Sequence, residues 1–263
     1  MSFHARIGVL AGLFAFAAAA GFLFVPAIPQ DPAYHAFADA RAWLGMPNAA
    51  NVLSNVAFIA VGATGLLAVR RALRGHAFDT PRDAAPYAVF FLAAVGIGAG
   101  SAYYHWDPSN GTLFWDRLPM TVAFMSFLAA VVTDRIDRQA AIHVLAGLVL
   151  VGIASAAYWS WSESRGSGDL RFYGLVQFFP VLGLPVVCWL FPRARYTKGR
   201  CIVWIFLLYG AAKGLELWDR QVFEALGGAI SGHTLKHVVA AAAIAMAVPM
   251  IPSPRATGRE IVP

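Results

Sequence analysis

Ala140–Tyr158 reads AAIHVLAGLVLVGIASAAY, without one Asp, Glu, Lys or Arg. A helix of about 20 such residues crosses the ~30 Å hydrocarbon of a bilayer, where a segment must close its backbone hydrogen bonds within itself. The same character returns on both sides of this run. Toward the N-terminus lie Thr112–Thr133, Ala85–Tyr104, Ala50–Val69 and Ile7–Val25, and toward the C-terminus Phe172–Phe191, Cys201–Trp218 and Thr234–Ile251. Turn formers and charges separate these stretches, among them Pro26, Pro29, Pro108, Gly111, Gly166, Gly168 and Phe191–Pro192. The expected fold is all-α: a polytopic membrane bundle of eight spans, with no connection long enough for a soluble domain.

Composition leads to the same class. Of 263 residues, 59% are hydrophobic and 13% charged, with a mean hydropathy of +0.62. Soluble domains hold roughly 45–50% apolar and about 25% charged residues. High apolar content excludes a disordered chain, and two cysteines, Cys188 and Cys201, exclude a disulfide scaffold. The net charge of +6 is spread over few loops, which fits membrane topology and not nucleic-acid binding.

Lys and Arg orient the chain, because basic loops stay in the cytoplasm. Arg70, Arg71, Arg74 and Arg82 share one connection; Arg135 and Arg138, then Arg193, Arg195, Lys198 and Arg200, then Arg255 and Arg259 follow at alternate ones. Both termini are thereby placed in the cytoplasm, and residues 30–48 outside. Arg6 ahead of an Ala-rich run is also the pattern of a signal peptide. The expected division is a first helix or signal-anchor over 1–28, an outer loop over 29–49, a seven-helix core over 50–252 and a cytoplasmic tail over 253–263.

Ionisable side chains in a membrane cost about 2.5–3.5 kcal/mol each on the mildest scale, so their positions carry information. Ser101 and His105 stand four apart near the outer end of one span, as His233 and His237 do at the start of another. Trp115-Asp116-Arg117-Leu118-Pro119-Met120 opens a third. Three imidazoles from two helices make a zinc site with an open fourth position, the arrangement by which catalytic zinc activates water. Asp116 would handle the proton and Ser101 would donate to a developing oxyanion. Each residue also has a plainer reading. Helix-end histidines sit at headgroups, Ser bonds its own backbone, and Asp116 beside Arg117 can form an ion pair. Lys213, Glu216 and Asp219 share one face of the seventh stretch, where Lys213–Glu216 reads as a buried ion pair or a headgroup contact. Trp106, Trp115, Trp159, Trp161 and Trp218 read as an interfacial belt.

Gly100-Ser101-x-x-x-His105, Asp116-x-Leu118-Pro119-Met120 eleven residues on, and a late His233-x-x-x-His237 together resemble the alkaline ceramidase family. That family belongs to a wider group of seven-helix hydrolases and receptors that includes the adiponectin receptors. Asn51–Phe58 also resembles the opening of the family's first core helix, and Tyr34–Arg41 is similar to bacterial members. The resemblance implies a seven-helix bundle in which His105, His233 and His237 bind zinc, Asp116 serves the water and Ser101 the oxyanion. It implies a hydrolase of linear amide C–N bonds in sphingolipid metabolism, taking an N-acyl, ceramide-like lipid from the bilayer. It also implies a bacterial inner membrane, with the site toward the periplasmic face. Family members carry an acidic calcium-binding segment ahead of the core. Here Asp39, Asn48 and Asn51 offer oxygens to Ca2+, while an Asp39–Arg41 contact would hold the same loop without an ion. The alternative is a receptor-like lipid sensor with a structural zinc site, closed by four ligands. A transporter is the third reading, although no internal repeat is visible.

Overall fold

The computed structural model describes residues 1–253. Arg255 and Arg259, and all but the first residue of the expected tail, lie outside the described residues. The order of helices is α1 Phe3–Phe24, α2 Ala49–Ser54, α3 Val56–Arg74, α4 Pro81–Trp106, α5 Asn110–Arg135, α6 Ala141–Ser164, α7 Arg171–Leu190, α8 Gly199–Leu217, α9 Asp219–Ala225 and α10 Gly232–Ala245. Among the described residues there is no β-strand. This is an integral, multi-pass, all-α membrane bundle.

Among the described residues, seven helices are long and apolar enough on their own to span a bilayer, and the eighth expected span passes only as a bent pair of helices. The exception is α8, which carries Arg200, Lys213 and Glu216 and bends by 81° into the short α9. The expected stretch to Trp218 therefore ends at the break, and Asp219 opens a new helix instead of extending the Lys213–Glu216 face.

Local sequence explains the helix starts. Pro81 fits the first turn of α4 because its missing N–H would have no partner there, and Thr80 with Asp83 closes a reciprocal cap. Ser109 and Thr112 do the same for α5. At the centre is α5, with 67% of its most apolar stretch buried, against none of α1. The first helix leans on α7 through Phe14–Phe179 and through Arg6, which donates to the Leu190 carbonyl at 2.8 Å.

The two ends of the bundle differ. At one end, Asp79 holds Arg138 and Arg195, while Asp134 accepts from the backbone of Arg195, Tyr196 and Thr197, so three basic connections are stitched together. At the other end a smaller apolar cluster of Phe37, Tyr104, Leu113, Trp159 and Tyr173 sits under the loop that precedes α2. Trp159 is fully buried there, which corrects its assignment to an interfacial belt; Trp106, Trp115, Trp161 and Trp218 are exposed. Both cysteines are free thiols.

Candidate metal centre

The last turn of α4 and the first turns of α10 meet at the end with the smaller cluster. His105 Nε2 lies 3.3 Å from Nε2 of His233 and 3.3 Å from Nε2 of His237, and all three rings are buried. In a tetrahedron the ligand–ligand edge is 1.63 times the metal–ligand bond, so Zn–N bonds of about 2.0–2.1 Å require edges of about 3.3–3.4 Å. Two edges of this triangle already have that length. Among the described residues, these three form the one group of His, Cys, Asp or Glu able to share a metal ion, and no fourth such residue joins them.

Neighbouring groups fix the tautomers. The Lys236 ammonium is 2.9 Å from His233 Nε2 and can only donate, so that nitrogen carries a lone pair, which a bound metal would take in place of the lysine. Ser54 Oγ lies 3.0 Å from the Asn51 carbonyl and 2.8 Å from His237 Nδ1. One hydroxyl proton satisfies both contacts only if Ser54 donates to the carbonyl and His237 Nδ1–H donates to Ser54. His237 Nε2 then also presents a lone pair to the centre. His105 Nδ1 is buried without a partner.

Ser101, one turn below His105, lies beside the Asp116 carboxylate on the wall of one cavity. Two sequence features allow this. Pro119 has no N–H for the Trp115 carbonyl four residues back, and that carbonyl packs against Gly100, where a Cβ would overlap it. Helices α4 and α5 thus approach closely beside the Ser101–Asp116 pair. Gly232 similarly lets α10 lie against the Leu215 carbonyl. The Asp116–Arg117 ion pair weighed from sequence does not form. The Arg117 guanidinium stacks on Trp159, 4.2 Å from the ring centre, and donates to Gln30 Oε1 at 2.6 Å.

The loop ahead of α2 roofs the histidines. Phe37 packs edge-on against His105 and His233, with ring centres 4.6 and 4.8 Å apart. Asp39 is clasped by Arg41 through Nε and Nη2, each at 2.7 Å, which holds its carboxyl below the usual carboxylate range although burial works to raise it. Asn51 donates to the Asp39 carbonyl and accepts from Thr234, while Asn48 donates to the His105 carbonyl. The side-chain oxygens of Asp39 and Asn51 thus have protein partners, and the Asp39–Arg41 contact weighed from sequence forms. Asp219, at the α8–α9 break, accepts from the backbone N–H of His233 at 2.7 Å and of Ala38 at 2.9 Å, joining roof and ligand helix.

Below the histidines lies a cavity of about 410 Å3, within the ~300–1,000 Å3 typical of small-molecule sites. Its polar end has Ser101, Asp116, Lys213, Glu216, Lys236 and His237; its body is apolar, with Phe58, Phe90, Phe127, Leu184 and Ile244. Glu216 pairs with both Lys213 and Lys236. Sequence reasoning missed Ser54, Phe37 and Lys236. The Asn51–Ser54–Asn55 spacing, which puts three polar side chains on one turn of an otherwise apolar helix, was the available signal.

A family model described as Ceramidase matches residues 46–190. That stretch holds Ser101, His105 and Asp116 and ends before His233 and His237, whose place beside His105 therefore rests on the structure alone. No curated protein and no solved structure matches the chain.

Proposed function

Because the chain belongs to the ceramidase family, hydrolases of the N-acyl amide of ceramide, we propose that it is a zinc-dependent intramembrane amidase that cuts a ceramide-like lipid into a fatty acid and a free amine. The observation that carries this reading is the convergence of three histidine Nε2 atoms beside an apolar cavity whose polar end holds a carboxylate and a hydroxyl. The donor set suits zinc, since imidazole is a preferred zinc ligand and the 3.3 Å spacings match a tetrahedral edge. With three protein ligands the site would be open, which separates this reading from a receptor with a structural zinc.

When bound, zinc supplies Lewis acidity to the amide carbonyl and lowers the pKa of water. The protein's own groups do the rest. Asp116 accepts the proton of the attacking water and returns it to the departing nitrogen. Ser101 has one hydroxyl proton, which can bond to the Asp116 carboxylate beside it in the resting site. Once Asp116 is protonated that bond weakens, and the Ser101 proton is released to the carbonyl oxygen as charge builds on it. The apolar cavity takes the acyl chain, keeping water from its length. The Arg-rich connections at the opposite end support a site near the outer, non-cytoplasmic face, since basic loops stay in the cytoplasm.

The test is zinc content of detergent-purified protein, wild type against His233→Ala, followed by ceramide hydrolysis with and without chelator. The reading expects about one zinc per wild-type chain, a large loss in the variant and chelator-sensitive release of fatty acid. A metal-free wild type that still cleaves ceramide would defeat the zinc assignment.

A further inference from the structure

Arg117 is 6% exposed and makes no salt bridge among the described residues, although a buried charge is ordinarily paired. Its guanidinium lies among Trp159, Tyr173 and Tyr34, at 4.2, 4.9 and 5.5 Å from their ring centres. Its Nη2 donates to Gln30, while its Nη1 is buried without any partner. The indole Nε1 of Trp159, in the ring stacked on it, is likewise buried without an acceptor. Two orphaned donors at one place call for an acceptor. Leaving such donors unpaired is costly, because each has given up its water without a replacement.

Arg117 also lines the cavity next to Asp116, and it shares that wall with Tyr34. The charged residues lining the cavity are three cations, Arg117, Lys213 and Lys236, against Asp116 and Glu216. Both lysines share Glu216, so Arg117 is the cation of this cavity that makes no salt bridge.

We infer that Arg117 is a specificity-determining residue that binds an anionic group of the lipid amide, a carboxylate or similar oxyanion on its amine side. The side follows from chemistry. The acyl half of an N-acyl lipid carries no charge until it is cut, so an anion on the intact substrate belongs to the amine half. The guanidinium's planar fork suits such an oxyanion, and charge-assisted bonds inside a low-dielectric site are strong. This inference rests on the amidase reading for its substrate, but its binding arm is independent of turnover.

The test measures binding of N-palmitoylglycine, N-palmitoylethanolamine and palmitate to zinc-loaded full-length Asp116→Asn protein, alone and combined with Arg117→Met or Arg117→Lys. Turnover of both amides and of ceramide by protein with Asp116 intact is followed in parallel. The glycine amide should bind at least tenfold tighter than the ethanolamine amide. Arg117→Met should abolish that ratio, and Arg117→Lys should keep part of it. Equal affinity for the two amides before Arg117 is changed, or an equal loss on both in the Met variant, overturns the inference. So does an Arg117 dependence confined to palmitate, which would assign the guanidinium to the released fatty acid. Should the Met variant fail to fold, the ratio with Arg117 intact decides by itself. Charge-selective binding without turnover of any amide would defeat the amidase reading and leave the Arg117 site standing.

Discussion

Ser54 Oγ lies 2.8 Å from Nδ1 of His237, on the far side of the ring from the Nε2 that faces His105. The bond fixes ring rotation and tautomer together, because the Ser54 proton is taken by the Asn51 carbonyl. Partners of this kind tune a ligand without touching the ion, and losing one typically costs about 10–100-fold in metal affinity. Ser54→Ala should therefore lower zinc affinity by about that factor while the helical content stays unchanged. Competition with a zinc chelator measures it; an unaltered affinity would mean that packing alone orients His237.

Asp116 stands outside the three-histidine group, beside Ser101 on the cavity wall. Asp116→Asn keeps the size and the Ser101 contact but cannot accept a proton. Zinc stoichiometry should stay near that of the wild type while turnover falls about 10²–10⁴-fold, the usual contribution of a positioned acid–base group. Metal analysis beside a fatty-acid release assay separates the two effects. Full activity in the variant would remove Asp116 from the proton path.

The spans were legible because a bilayer imposes a simple rule on composition, and α4, α5 and the span Arg138–Ser164 around α6 contain the stretches that rule selected. The break after Leu217 was not, since hydropathy averages across a bend; the Lys213–Glu216 pair read from the sequence does form, part-buried. The histidines were readable from two i,i+4 repeats, which fix a face within each helix. Trp159 was misread for the opposite reason: a Trp near a helix end looks interfacial unless the cation that covers it, Arg117, is known to be there. Ser54 and Phe37 reach the centre through contacts between distant segments, which spacing along one chain does not encode.

Above the histidines, Asp39 and Arg41 clamp the loop that carries Phe37. Arg41 holds the Asp39 carboxyl below its ordinary value, so the clamp is at full strength above the usual aspartate pKa of about 3.9 and weakens as pH falls below it. Hydrogen exchange of residues 33–41 should stay slow from neutral pH down to that point and quicken below it. Asp39→Asn should show fast exchange already at neutral pH, with little further change on acidification. A variant as protected as the wild type would mean that Asn51 and Asp219 hold the loop without the ion pair.

Helices α4 and α5 can bring Ser101 to Asp116 only because Gly100 presents no side chain to the Trp115 carbonyl. Backbone cannot rotate away as a flexible side chain would, so a methyl group here must push the helices apart. Overpacking of this kind costs about 1–3 kcal/mol, and the displacement falls where catalysis is least tolerant of it. Gly100→Ala should thus lower the unfolding temperature and reduce activity more than the stability loss explains, with zinc retained. Gly147, in α6, has open space around the position a methyl group would take, with nothing within 4 Å, and serves as the control. Gly147→Ala should leave activity unchanged and stability equal or slightly higher, since Ala is the better helix former. If both variants behaved alike in thermal unfolding and turnover, the close approach at Gly100 would have no part in setting the Ser101–Asp116 pair.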